Sequence, residues 1–493
     1  MQKKIFIAVL AAASLFAFSA CKKQPADVPP QDKTDDNTQT DDVGTLPDDS
    51  GEDVEIDYLA DLSKEKYDGY DFRILIRKGK ISDQYFEEPP EDIVEDAIYK
   101  RNKLIEEMYG ITITATESSS TDTETDALNS ILAGDDAYDV IFPHTRSAFS
   151  YAVQGSVYNI NDIEAIHLDK PWWSQDIIDS CNINNHLYVL DGDISLHRLN
   201  YAMCMYFNKR IFDDLGFDYP YESVLDGDWT FDELAYYAKK GGNDLNGDGV
   251  MKPEDDQFGF YCQEWGAPIG ILYTGGQKIY DKNDEGALEL TLYSNKTVEI
   301  FDEFFGLMDN EACFLHLTNN PKNYDGPNLF SEGRAMISAD GLGSAKGFRN
   351  MDDDFGIIPY PKFDETDEYA SIVNGHAHLM VIPITVSDVE RTGSIIEALC
   401  AIGSRDVVPA FYDVSLKTKY ARDEESEKMM DIIKDSIVYD IGYACGSAEG
   451  VASTGRVLAR STTHDFSSFY AARESQALAD LKEFNESYGG IEE

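Results

Sequence analysis

HLYVLDGDISLHRLNYAMCMYFNKRIFDDLGF, residues 186–217, holds two apolar runs and a helix signal in close succession. His186 to Leu190 reads as a strand that closes at the turn Asp191-Gly192-Asp193. Tyr201 to Phe207 reads as a second strand, apolar enough to be buried. Asn208 to Gly216 predicts a short helix, stopped by a glycine that takes the left-handed turn at a helix end. Two apolar strands joined across a polar Gly/Ser/His segment could by themselves form a hairpin. The flanking chain has to decide.

Upstream, Tyr70 to Ile76 predicts a strand that alternates toward an apolar end. Pro89 to Tyr109 carries Val94, Ala97, Ile98, Leu104, Ile105 and Met108 at helical spacing, with Gly110 as the stop. Ile111 to Ala115 is a second strand, Asp122 to Ala133 a second helix closed by Gly134, and Tyr138 to Phe142 a third strand. This β-α-β-α-β alternation argues for a parallel sheet. In such sheets ligands sit beyond the carboxyl ends of the strands. There the chain places Pro143-His-Thr-Arg-Ser147.

The order "strand, polar crossover, strand, YFNK, short helix, LG" resembles the first interlobe crossing of extracellular solute-binding proteins, the capture subunits of ABC importers, of the sugar-binding type. Further matches follow in family order. Trp229-Thr-Phe-Asp-Glu-Leu234 resembles a "W-T-x-x-E-L" helix start, and Asn328 to Ile337 an "F-x-x-G-x-A-M" turn into a strand. Phe355 to Pro361 resembles a "G-x-x-P-x-P" strand, and Ser371 to Pro383 the return crossing. Helices are predicted over Val386 to Ile402, Arg422 to Ile437 and Phe466 to Ser487. The likeness covers Tyr70 to Asn485, and the order of the short motifs carries more weight than any one of them. It implies an α/β, two-lobed periplasmic-binding-protein-like fold of type II, each lobe a mainly parallel sheet flanked by helices, joined by hinge strands. Lobe 1 is expected over 65–192 and 374–432, and lobe 2 over 195–371 and 435–485.

The chain of 493 residues, 42 % hydrophobic and 12 % aromatic, has ample material for such a core. Its net charge of −51 argues against nucleic-acid binding, which needs Lys and Arg patches on phosphate. Residues 1–20 read as a lipoprotein signal peptide: Lys3 and Lys4, then an apolar stretch from Ile5 to Phe18 too short to span a bilayer. Phe18-Ser-Ala-Cys21 resembles a lipobox, departing from it at Phe18, and implies lipid on Cys21. Residues 21–60 form an acidic, flexible linker, with Pro, Asp, Thr and Gln and too few large apolar groups for a core. The expected location is the extracytoplasmic face of a bacterial membrane, and a monomer is expected. Cys181, Cys204, Cys262, Cys313, Cys400 and Cys445 lie mostly in apolar runs without close spacing, which favours buried thiols over disulfides.

Asp244-Leu-Asn-Gly-Asp-Gly-Val-Met-Lys-Pro-Glu-Asp255 has oxygen donors at positions 1, 3 and 5, a glycine at 6, a carbonyl at 7 and a carboxylate at 12. The pattern predicts structural Ca²⁺ held by Asp244, Asn246, Asp248, Val250 and Asp255, with Asp256 as an alternative to Asp255. An Asx-rich turn is the competing reading. His376 and His378 offer a weak two-ligand metal pattern, lacking a third ligand nearby.

A sugar site needs aromatic faces for pyranose C–H groups, with carboxylates and amides for hydroxyls. Trp172, Trp173, Trp265 and Tyr273 stand in polar, loop-like contexts; Trp172 and Trp173 serve equally well as a surface plug. The resemblance implies that an aromatic near Trp265 stacks on ligand. His144, Thr145 and Arg146 are the lobe-1 candidates, and Asp191, His197, Asn374 and His376 flank the crossings. No HExxH, GxSxG or GxxxxGK[ST] occurs. The expectation is a lipid-anchored binding protein, not an enzyme, delivering a carbohydrate, expected to be an oligosaccharide, to an ABC permease. The alternatives are a surface-anchored carbohydrate-active enzyme, or the same fold holding a peptide or other solute.

Overall fold

Strand β1 (Asp71–Ile76) buries Phe72, Ile74, Leu75 and Ile76 and lies at the centre of a parallel sheet. β2 (Thr112–Glu117) pairs on one side with Phe72 opposite Ile113, and β3 (Val140–Phe142) on the other with Ile74 opposite Val140. The structure is a computed structural model that describes residues 56–119, 124–412, 424–446 and 450–490. The expected signal peptide, Cys21 and nearly all of the expected linker lie outside the described residues. Asp57–Glu493 is a single compact unit. No helix among the described residues is long and apolar enough to cross a membrane.

The helix between β1 and β2 runs Ile93–Tyr109. It starts later than Pro89 because the Asp92 side chain accepts hydrogen bonds from the Val94 and Glu95 backbone N–H groups and caps it. Gly110, at φ 67°, ends it in the left-handed conformation. Its buried face includes Arg101 and Asn102 beside Ile98 and Ile105, a polar pair that apolar periodicity passes over. Arg101 donates to the Ile194 carbonyl at 2.7 Å, tying this helix to the start of the first crossing.

The second sheet has the order β10-β4-β9-β5-β8. Its members are β4 (Met203–Asn208), β5 (Phe258–Gln263), β8 (Cys313–His316), β9 (Ala335–Gly341) and β10 (Phe355–Ile358). Between β5 and β8 in sequence, β6 (Tyr280–Lys282) and β7 (Leu288–Leu290) make a separate small antiparallel ribbon that no sequence pattern announced. β5 runs parallel to β8 and β9, while β4 is antiparallel to both β9 and β10, so β4 alone opposes the other four. Every residue of β4 is buried, as its unbroken apolar run demands.

Residues 186–217 are therefore a crossing and not a hairpin. Leu190 bridges Met380, which lies beside β3 in the first sheet, while β4 belongs wholly to the second. The expected strand at His186–Leu190 does not form a ladder: Leu190 and His186 make only single bridges. Asn208 caps the next helix, Lys209–Leu215, by accepting from the Ile211 N–H. The chain returns through Ser371 to Pro383. Ser371–Ile372 pair in parallel with Ile437–Val438, Val373 bridges Ala202 of the first crossing, and Val381 bridges Ile141 of β3. The two crossings thus lie side by side. All six cysteines of the body are free. The predicted helix Phe466–Ser487 is two helices, Phe466–Ala471 and Glu474–Gly489.

Candidate functional site

The helix Thr145–Val153 begins directly beyond β3, and its first turn is fastened to the return crossing. His144 caps it through Nδ1, which accepts from the Arg146 N–H at 3.2 Å. The Thr145 hydroxyl donates to the Ala377 carbonyl at 2.7 Å, and His144 forms a β-bridge with His378. These bonds aim His144 and Arg146 into a space bounded on its other side by Trp265 and the helix Ala267–Thr274.

Two cavities share that space. The smaller, about 100 Å³, is lined by His144, Arg146, Trp265, His376, Tyr443 and Arg456 among others. The larger, about 370 Å³, holds Lys80, Asp83, His197, Trp265, Asn374 and His376 along its wall, and Asp340 from the end of β9. Trp265 and His376 line both, so the two are compartments of one cleft running from the first sheet past the crossings to the second. Their mixed lining suits a polar ligand with an aromatic-stacking face.

The partition between the compartments is well held. Trp265 meets the His376 ring edge-on, with centroids 5.7 Å apart at 88°, and its carbonyl accepts from the Tyr443 hydroxyl at 3.1 Å. His376 is oriented by Asn374, whose Oδ1 accepts from His376 Nδ1 at 3.0 Å, and its carbonyl accepts from Arg77 at 2.8 Å. Burial, and then the positive charges of Arg77, Arg146 and Lys80, push the His376 pKa below its ordinary value. His376 is therefore neutral at physiological pH and able to exchange hydrogen bonds with hydroxyls.

His197 and His378 fasten the crossings behind this wall. Their rings stack 3.4 Å apart at 15°. His197 Nε2 bonds to Asp83, and its Nδ1 accepts from the His378 backbone N–H at 3.3 Å. Asp83, His197 and His378 are the only described cluster of His, Cys or acidic groups whose ligand atoms all lie within 4.8 Å. Stacked rings send their nitrogen lone pairs out side by side, and both His197 nitrogens are committed, so the trio does not form a converging metal cage.

Of the residues singled out from sequence, the structure brings His144, Arg146, His197, Trp265, Asn374 and His376 to the cleft. Thr145 anchors its floor. The other four do not line these cavities. Trp172 and Trp173 are 3 % and 2 % exposed and donate their indole N–H groups to Glu397, at 3.2 and 2.9 Å. They form a buried plug, deeper than the surface plug that was the other reading of the pair. Gly192 allows this packing, because a Cβ there would stand 2.6 Å from the Trp172 carbonyl oxygen. Asp191 is buried and bonded to the Gly192 N–H, and Tyr273 is buried with its hydroxyl on Asp440. Sequence reasoning missed Lys80, Tyr443 and Arg456, which lie far from the motifs and reach the cleft only through the tertiary fold.

The Asp244 loop lies away from the cleft and wraps on its own side chains. Asp244 accepts from the Gly247 and Gly249 N–H groups at 2.7 Å each, Asn246 from Asp248 at 2.8 Å, and Asp248 from Val250 at 2.8 Å. Asp244, Asn246 and Asp248 thus fit a cation loop. The second Asp248 oxygen is held by the Lys252 ammonium at 2.7 Å, which an ion would have to displace. Asp256 does not fit as a ligand: it is fully buried, and its two oxygens accept from the Leu245 and Lys252 N–H groups. Exposed Asp255 is the better twelfth position.

Two sheets bridged by paired crossings, with a cleft between them, define a binding protein of the periplasmic type. The profile of the bacterial extracellular solute-binding protein family matches residues 102–401, more than half of the chain, and the protein belongs to that family. No curated protein matches it in sequence. Its fold is similar to that of the GacH receptor of Streptomyces glaucescens, solved unliganded and with acarbose, at TM-score 0.55 and 12 % identity over 84 % of this chain and 99 % of that one. UgpB from Mycobacterium tuberculosis, in complex with glycerophosphocholine, gives TM-score 0.55 and 13 % identity over 84 % and 99 %. The cyclic alpha-maltosyl-1,6-maltose binding protein from Arthrobacter globiformis gives 0.53 and 12 % over 86 % and 98 %. Identities this low speak for the fold alone.

Proposed function

We propose that the protein captures a carbohydrate, an oligosaccharide in our reading, in the cleft around Trp265 and delivers it to an ABC permease without chemical change. The observation that carries this is the position of Trp265: a half-buried indole shared by both compartments and held by Tyr443 and His376. Aromatic faces suit pyranose rings, and Lys80, Asn374 and neutral His376 supply hydrogen bonds around them. Two carbohydrate-binding proteins among the fold's solved neighbours support the same reading. Closure about the adjacent crossings would bury the ligand and create the face that a permease recognises. A diacylglyceryl group on Cys21, spaced by the acidic linker, would tether the body to the outer face of the membrane. We also propose that the Asp244 loop takes a structural Ca²⁺.

Thermal unfolding of the purified protein against a panel of oligosaccharides, amino acids and polyamines tests the assignment, with each mixture assayed for product. A ligand that binds only the native state raises the midpoint in proportion to its occupancy. A dose-dependent shift with saccharides, abolished by Trp265→Ala and without turnover, is expected. Cleaved product would replace capture with catalysis, and shifts confined to non-sugar solutes would retire the carbohydrate reading.

A further inference from the structure

We infer that the saccharide is an acidic one, its carboxylate or sulfate seated between Arg146 and Arg456. The inference rests on the cleft being the ligand site, and it comes from a charge contrast. The chain carries 92 acidic against 41 basic residues, yet the described lining of the smaller compartment has two arginines and no acid.

Among the described residues neither arginine finds a hydrogen-bonding carboxylate of its own. Among the described residues the Arg146 side chain makes no hydrogen bond or ion pair. Burial, with the like charge of Arg456 adding to it, holds its pKa below the ordinary arginine value. A guanidinium taken from water without a partner destabilises the fold, so stability gives no reason to keep it there. Arg456 lies over the Trp265 indole, its Cζ 4.0 Å from the ring centroid, and its buried Nε has no hydrogen-bond partner. The carboxylate it approaches, Glu264 at 3.8 Å, is already gripped by both ends of the Arg460 fork. One carboxylate thus serves two arginines, and Arg146 has none.

The rest of the cleft does not restore the balance. Arg77 bonds the His376 carbonyl and Lys80 lines the larger compartment with His376, whose pKa is lowered first by burial and then by these cations and Arg146. Asp83 is committed to His197. Asp340 accepts from the Gly341 N–H, lines the larger compartment and not the smaller, and has its pKa raised by burial. An anion bound by the two guanidinium groups makes charge-assisted, fork-shaped hydrogen bonds that neither arginine finds in the protein. Its pyranose would then extend along Trp265 into the larger compartment, where the hydroxyl partners are. A carboxylate and a sulfate present the same acceptor chemistry here.

Calorimetric titration of the purified protein decides the matter. The probes are uronic-acid trisaccharides of gluco, galacto and manno configuration, their neutral counterparts, sulfated galactose oligosaccharides, and sulfate and citrate as sugar-free anions. At least one acidic saccharide is expected to bind tenfold or more tightly than its neutral counterpart. Arg146→Gln, with an unfolding midpoint no lower than that of the wild type, should erase that preference, and Arg146→Lys should restore part of it. Equal or tighter binding of the neutral sugar, binding unaltered by Arg146→Gln, or no binding of any acidic probe overturns the inference. The first of these leaves sugar capture standing. Tight binding of citrate or sulfate with no saccharide bound would keep the arginine pair as an anion site and remove the carbohydrate reading instead.

Discussion

His378 shows how a single buried side chain couples the crossings to pH. It is fully buried, its Nε2 meets the Ser195 hydroxyl at 3.0 Å, and its Nδ1 has no partner. Burial first, then the charges of His197, Arg77 and Lys80, hold its pKa well below 6.5. His197, packed on its face and bonded to Asp83, is lowered as well, again chiefly by burial. Below about pH 6.5 the unfolded chain takes up protons that the folded chain refuses. The stability contributed by these groups is therefore complete above that pH and falls as pH drops. Buried Asp193, raised to about 6, works in the opposite direction, so the bare pH profile mixes the two. Urea unfolding at pH 7 and pH 5.5 separates them when wild type is compared with His378→Gln. The variant's loss on acidification should be shallower by about 1 kcal/mol; identical slopes would mean that His378 does not carry the effect. Legibility at this scale followed local grammar. His144, Arg146, Asn374 and His376 were found because strand ends and crossings announce themselves. Trp172 and Trp173 misled because their partner, Glu397, lies far along the chain, and a Trp pair beside Lys170 and Pro171 reads as exposed until Glu397 satisfies both indoles.

Among the elements, the Asp244 loop carries its own test. Its backbone is already wrapped around Asp244, so an ion would find a formed cradle, with the Lys252 ammonium on Asp248 as the competitor. Saturating Ca²⁺ at a hundredfold excess over Kd contributes about 2.7 kcal/mol, which for a body of this size raises the midpoint by about 3 °C. Chelator should reverse the shift, Asp244→Ala should abolish it, and Lys252→Ala should tighten binding by removing the internal cation. A midpoint indifferent to both Ca²⁺ and chelator would leave an Asx turn. Elements with strong local signals were readable: Gly110 ends its helix, although the start is capped by Asp92 and lies later than the expected Pro89, Asn208 and Gly216 bracket theirs, and the apolar run of β4 declared a buried strand. The break at Ala472 and Arg473 was not. No Gly or Pro marks it, and the first half is fixed from outside, where Tyr293 packs on Phe466 and Tyr470. Tertiary contact overrode propensity there.

At the scale of the whole molecule, the field of the protein and the field of its cleft have opposite signs. A net charge of −51 repels itself and any anion that approaches, whereas the compartment beside Trp265 presents Arg146 and Arg456. The two fields differ in range. At 0.1 M salt the Debye length is about 10 Å, so added salt removes long-range repulsion while pairs formed inside the cleft are screened far less. Raising NaCl from 20 to 150 mM should therefore increase the unfolding midpoint, as self-repulsion of the compact state is relieved. Under the acidic-saccharide inference it should also speed association, the reverse of what a basic protein shows toward an anion. Dissociation should change little, because it is governed by the buried guanidinium contacts. Stopped-flow tryptophan fluorescence reads both rates. An association rate that falls with salt would mean that the cleft's own field, and not the net charge, governs approach. A dissociation rate that climbs as steeply as association would place the anion at an exposed rim and away from Arg146. Association rising while dissociation stays nearly flat is the signature of an anion drawn through a repulsive surface into a cationic pocket, and only the paired arrangement of surface and cleft produces it.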